Sequence, residues 1–270
     1  MSDARSPEQL RSNQYRNANN LEARIALHAL CSVNPQGWTP WLFEQIESLE
    51  LSPTAAILEL GCGAGTLWRD NAERIPPGWR IALSDFSEGM LEDARQALAA
   101  LDHEFSFRVA NAQDIPFPGN HFHAVFANHM LYHVPDRAKA LAEIVRVLRP
   151  GGVLVASTLT RESMREIQTL VRGCTESDEF AFNRSGETFA LDNAARQLAP
   201  FFGSIEERRY VDALEITDPA PLLAYLGSTI QEEPFRPSEL DAIAEATRQE
   251  IAQHGHFRVR KDSGVFLARS

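Results

Sequence analysis

Apolar positions along the chain change rhythm twice. Leu21, Ile25 and His28 recur at helical spacing after a polar stretch of some twenty residues, as do Trp41, Leu42, Ile46 and Leu49 in "WTPWLFEQIESLEL" (38–51). From residue 55, short apolar runs alternate with amphipathic ones. "AAILEL" (55–60), "RIALSD" (80–85), "FSFRVAN" (105–111), "FHAVFAN" (122–128) and "VLVAST" (153–158) read as strands. "TLWRDNAERI" (66–75), "SEGMLEDARQALAAL" (87–101) and "DRAKALAEIVRVLRP" (136–150) read as helices. Ser87 and Asp136 stand where N-caps belong. Pro150, Gly151 and Gly152 predict where the third of these helices stops. Strands and helices alternating at this spacing predict a parallel sheet with helices on both faces.

The rhythm breaks after Thr158. Residues 160–200 are predicted to be mostly helical, interrupted by the polar "CTESDEFAFNRSGE", and the stretch 172–187 is expected to form a mobile cap or lid. "IEERRYVDALEI" (205–216) reads as a sixth strand, and "DPAPLLAYLGSTI" and "RPSELDAIAEATRQEIAQHG" as two more helices. "FRVRKDSGVFLARS" has strand character, with an Asp-Ser-Gly tip that predicts a hairpin or turn. The pattern divides the chain into an N-terminal helical segment or lid (1–50), a core (51–158), a cap (159–204), and C-terminal strands with inserted helices (205–270).

Composition narrows the function classes. The 270 residues suffice for one large α/β domain. A formal net charge of −11 argues against nucleic acid or an anionic membrane as partner, because phosphate neutralisation needs a basic field. Three widely spaced cysteines, Cys31, Cys62 and Cys174, fit reduced thiols in a cytoplasmic protein better than a disulfide framework. The polar start of the chain predicts no signal peptide, and no uninterrupted apolar run is long enough to predict a membrane span.

Candidate chemistry concentrates in "ILELGCGAGTLW" (57–68), where Gly61, Gly63 and Gly65 lie between a predicted strand and a predicted helix. Such a loop lets a ligand lie against main chain beyond the strand ends. Thr66 stands where a dinucleotide fingerprint requires glycine, and no P-loop lysine follows. Glu59, two residues before the loop, would repel a pyrophosphate but suits a ligand carrying an ammonium group. Asp85 ends the second strand, where an acid can hold both ribose hydroxyls, with Phe86 as a wall for the base. Asn111, or the backbone of Ala112 and Gln113, stands ready for the edge of an adenine. Asn128, His129 and His133 end the fourth strand beside the same crevice. The pair His121 and His123 reads as solvated, and no metal-ligand spacing is present.

The run E-x-G-x-G-x-G, then "LSDFSEGML", "NAQDIPFPGNHFHAVFANHMLYHVPD" and "EIVRVLRPGGVLVAST", resembles the class I S-adenosylmethionine-dependent methyltransferases. Within that class it is similar to the small-molecule subgroup of ubiquinone/menaquinone and "type 11" methyltransferases. The resemblance covers about residues 55–158. It implies a Rossmann-like fold with a seven-stranded, mostly parallel sheet, helices on both faces, and cap insertions. It also implies S-adenosylmethionine as cofactor and a small-molecule acceptor methylated on O, N or activated C. A fold relative that catalyses a cyclisation, or a binding protein without turnover, is the alternative. By the same resemblance Glu59, Gly61, Gly63 and Gly65 would follow the methionine moiety, Asp85 the ribose, and Asn111 the adenine, where the family often has aspartate. Asn128 would meet the amino-acid end. His133 and His129 are candidate general bases. Tyr15 and Arg16 would fold across the cofactor. Trp38, Trp41, Phe180, Phe182 and Phe189 would supply aromatic walls, and Arg172 and Arg184 would meet an anionic substrate group.

Overall fold

The computed structural model describes residues 18–175, 188–228 and 235–270. Helices α1 (Ala18–Cys31) and α2 (Trp38–Glu47) precede β1 (Ala56–Leu60), α3 (Thr66–Arg69), β2 (Arg80–Asp85), α4 (Glu88–Leu98), β3 (Phe105–Val109) and β4 (Phe122–Asn128). Then follow α5 (Arg137–Val147), β5 (Leu148–Leu159), α6 (Arg165–Cys174), α7 (Leu191–Leu198), β6 (Ser204–Ile216), α8 (Pro219–Ser228), α9 (Pro237–His254) and β7 (Phe257–Arg269). The seven strands form one sheet in the order β3-β2-β1-β4-β5-β7-β6. The first five run parallel, and β7 lies antiparallel to both β5 and β6.

All five residues of β1 are buried, as expected of a central parallel strand covered on both faces. One apolar cluster fills each face of the parallel half. Leu141, Ile144 and Val147 of α5 join one, and Leu42, Phe43 and Ile46 of α2 join the other. A third cluster, with Leu27, Ile167, Leu222, Leu226 and Ile243, packs α1, α6, α8 and α9 beside β6 and β7. Ser87 accepts a hydrogen bond from the Met90 amide, and Asp136 one from the Lys139 amide, so both N-caps form where the sequence places them. All three cysteines are free. Among the described residues no helix is long and apolar enough to cross a membrane. Most of the predicted lid, residues 176–187, lies outside the described residues, and with it Phe180, Phe182 and Arg184.

Three local expectations are corrected. The helix predicted over 66–75 ends at Arg69, and only a 3-10 turn (Ala72–Arg74) follows. Buried Asn71 explains the stop, since its side-chain amide donates to the Leu67 carbonyl and to Thr39 O, competing with a regular continuation. The helix predicted over 136–150 ends at Val147, and Leu148 already belongs to β5, whose pairing with β4 shifts register between Phe122 and Ala124. Finally, Asp262, Ser263 and Gly264 form no hairpin, since β7 runs unbroken through them.

Gly264 answers to a close approach. A Cβ there would come within 2.7 Å of the Arg208 carbonyl oxygen and 3.1 Å of the Leu191 side chain. We expect Gly264→Ala to cost about 2 kcal/mol, read as a lower urea midpoint with unchanged slope.

Candidate functional site

Strands β1 to β4 run parallel, so the residues that follow them gather at one edge of the sheet. After β1 the chain turns through Gly61, Gly63 and Gly65 with φ of 67°, 54° and 73°, a region that favours glycine. Protein neighbours set part of this requirement. A Cβ on Gly61 would lie 2.9 Å from Met130 Cβ, and one on Gly65 would lie 3.0 Å from Leu98 Cδ1. The Gly63 amide donates to Asp85 Oδ2 at 3.0 Å, which ties the loop to the end of β2. Asp85 Oδ1 accepts from the Ser87 amide at 2.9 Å, and Phe86 supplies a further backbone bond. Burial nevertheless raises the Asp85 carboxyl above its usual range.

Glu59 is 2% exposed. Its Oε2 accepts from the Trp68 indole N–H at 2.6 Å, and its Oε1 from the Asn128 amide at 2.8 Å. Burial pushes its carboxyl up to about 7 against these two bonds. The carboxylate is thus engaged from within the fold, and it fixes the orientation of Asn128. Asn128 presents its Oδ1 as a buried acceptor with no partner among the described residues. Such an orphan is costly unless something donates to it.

At the end of β3, Asn111 Oδ1 accepts from the Gln113 amide at 2.9 Å, so the two candidate adenine contacts bond one another. Gln113 Oε1 in turn accepts from the Asp136 amide at the start of α5, and Ala112 is buried. Tyr15, like Arg16, lies outside the described residues.

The two histidines are placed differently. His129 sits at φ 48°, and its amide donates to Ser157. Its ring lies 4.9 Å from Trp38 between centroids. Burial, then the Lys261 charge, lowers its pKa to about 4, so it is a neutral imidazole and a weak base. His133 closes the turn Leu131–His133, edge-on to Tyr132 at 4.5 Å. His123, read from the sequence as solvated, accepts from the Ala56 amide and links β4 to β1. Among the described residues no group of three or more His, Cys, Asp or Glu could hold a metal ion.

Beyond Asn128, the structure joins Trp38 and Trp41 to three residues that the sequence reading did not gather, Tyr210, Asp212 and Lys261. Trp38 and Trp41 pack on Tyr210 of β6 at 5.4 and 5.2 Å. Lys261 of β7 pairs with Asp212 of β6 at 2.9 Å, and both are buried. Their signal was present: each is a charge at an inward position of an alternating strand, between Val259 and Ser263 in one and Tyr210 and Leu214 in the other.

The strand order, the antiparallel β7 and the glycine loop beneath an acid-bearing second strand form a Rossmann-like fold that methyltransferases of known structure share. Residues 58–156 match the family model described as "Methyltransferase domain". A demethylmenaquinone methyltransferase of Symbiobacterium thermophilum is 32% identical over 133 residues, 48% of this chain and 53% of that protein. The chain therefore spans about half the length of this curated relative. Among solved structures, a phosphoethanolamine N-methyltransferase of Haemonchus contortus in complex with S-adenosyl-L-methionine matches at TM-score 0.60 and 19% identity, over 97% of this chain and 59% of that one. The cyclase SpnF matches at TM-score 0.56 and 16% identity, over 94% of each chain.

Proposed function

We propose that the protein transfers a methyl group from S-adenosylmethionine to a small-molecule acceptor. The observation that carries this reading is the orphaned Oδ1 of Asn128. It is a buried acceptor at the end of β4, held in place by Glu59 of β1, on the sheet edge that also carries the glycine loop and Asp85. An ammonium group is a fitting partner for it, and Asp85, which accepts from three backbone amides, keeps one acceptor site for a ribose hydroxyl. The cofactor, when bound, supplies a methyl group already activated by a sulfonium charge. What remains for the chain is alignment and exclusion of water. Asn128 and Asp85 would hold the donor at its two ends, while Trp38 and His129 would shape the acceptor side. His133 rather than His129 is the better candidate base, because His129 has been driven so far down in pKa.

The fold does not by itself choose between methyl transfer and cyclisation. The fit to an ammonium-bearing donor supports a donor-binding enzyme, and turnover separates the two. Incubation with S-adenosylmethionine and a panel of phenolic, amine and enol metabolites is expected to yield S-adenosylhomocysteine with at least one acceptor. Donor binding with product formation but no S-adenosylhomocysteine would move the reading to cyclisation, and absence of donor binding by calorimetry would remove it.

A further inference from the structure

Past His129, three elements far apart in sequence converge: α1, β6 and β7. His28 of α1 lies edge-on to Tyr225 of α8 at 6.1 Å, and its buried Nδ1 has no partner among the described residues. Lys261 and Asp212 stand opposite each other in the β6–β7 register. Asp212 is saturated. Ser32 Oγ and Lys261 Nζ donate to Oδ2, and the amides of Asn34 and Ala213 donate to Oδ1. It can balance the charge of Lys261 but has no capacity left to bind or deprotonate anything else.

Lys261 is in the opposite position. Its side chain is 10% exposed and its ammonium gives one N–H to Asp212. The ammonium also lies 5.8 Å from the centre of the Tyr210 ring. An ammonium has three N–H groups, so two have no partner among the described residues. The other titratable groups around it are uncharged. Burial and Lys261 itself hold His28 at about 3 and His129 at about 4, and burial with Asp212 lifts Tyr210 to about 12. His28, His129 and Trp38 each retain accessible surface. A cationic acceptor would meet Lys261 unfavourably. An oxygen with acidic character would meet two N–H donors and the edge of His28, with Trp38 as a flat surface beside it.

We propose that Lys261 is the anchor for the acceptor, binding an acidic oxygen of a planar aromatic ring that stacks on Trp38, with His28 as the second polar contact. The proposal rests on the methyl-transfer reading, since it places the acceptor next to the donor's amino-acid end.

The test uses full-length protein saturated with S-adenosylhomocysteine, and three probes: 4-nitrophenol, 4-nitrobenzoate and 4-nitroanisole. Binding of 4-nitrophenol, with its phenolate absorbance band appearing at a pH where the free probe is neutral, supports the proposal and marks the oxygen as phenolic. Binding of 4-nitrobenzoate alone supports it with a carboxylate as the source. Lys261→Met is expected to weaken the bound probe at least tenfold while leaving S-adenosylhomocysteine affinity unchanged. The double variant Asp212→Asn, Lys261→Met removes both buried charges together and gives the same answer if the single variant fails to fold. Equal binding of 4-nitroanisole, or full probe affinity in either folded variant, overturns the anchor. If the parent binds S-adenosylhomocysteine but neither acidic probe, the anchor falls and the methyl-transfer reading stands. If it binds no S-adenosylhomocysteine, that reading falls first.

Discussion

Replacing Glu59 with glutamine is expected to cost about a hundredfold in cofactor affinity while making the free protein more stable at pH 8. Both partners of the carboxylate are donors, the Trp68 indole and the Asn128 amide. Trp68 cannot turn away, since it is fully buried and stacked on Phe126 at 5.9 Å. A glutamine must therefore give its oxygen to Trp68 and point its NH2 at Asn128. Asn128 then has to rotate, presenting its own NH2 where its oxygen had stood. The ammonium of the cofactor would meet a donor instead of an acceptor and lose the negative charge behind it, worth about 3 kcal/mol.

The stability effect has the opposite sign. The folded-state pKa of Glu59 is raised from 4.5 to about 7. Between those values the native protein binds more protons than the unfolded chain, so stability falls as pH rises through that window. Below 4.5 both states are protonated and the difference vanishes. Above 7 the full penalty stands, about 3 kcal/mol at most, and glutamine removes it. The same titration predicts that wild-type cofactor affinity weakens as pH falls below 7, because a protonated Glu59 no longer dictates the orientation of Asn128. Calorimetric titration across pH 5.5–8.5, paired with thermal melts of the free proteins, reads both signs. A variant that binds normally would show that Asn128 Oδ1 does not face the cofactor.

Local patterns carried much of the fold. The strands at 80–85 and 122–128 form at the residues where their apolar runs begin and end, and Ser87 and Asp136 cap as predicted. The failures share a cause, which is tertiary contact overriding local chemistry. Gly264 looked like a turn residue because Asp-Ser-Gly is turn chemistry, but the crowding of β6 and Leu191 against β7 decided its role. Asn71 sits within a helical pattern and breaks it with a side-chain bond to a carbonyl four residues back. The proposed cofactor half of the candidate site could be read as a set because its residues follow consecutive strands of one parallel unit. The proposed acceptor half could not. His28, Asp212 and Lys261 meet only once β7 has inserted antiparallel between β5 and β6 and α1 has packed over β6. No spacing along the chain encodes that meeting, although an inward-facing lysine in an alternating strand hints at it.

Asp85→Ala is expected to weaken cofactor binding by a comparable factor, but with a different signature. A carboxylate accepting from a ribose hydroxyl at a buried site makes a charge-assisted bond, whose loss is worth up to about 3 kcal/mol or about a hundredfold. In the free protein the same carboxylate holds the Gly63 and Ser87 amides. Alanine therefore also releases the glycine loop from the end of β2 and leaves the Gly63, Phe86 and Ser87 amides to water. Asp85→Asn separates these roles. Its oxygen can keep one loop amide, while its NH2 can only donate to a hydroxyl, so part of the binding survives. Affinity should fall in the order Asp, Asn, Ala. Adenosine, which lacks the methionine tail, should lose affinity in the same order, because the contact lies at the sugar. The Glu59→Gln variant should bind adenosine like the parent, since its lesion lies at the ammonium. If Asp85→Ala spares adenosine binding, the carboxylate serves only to brace the loop, and the ribose is held elsewhere.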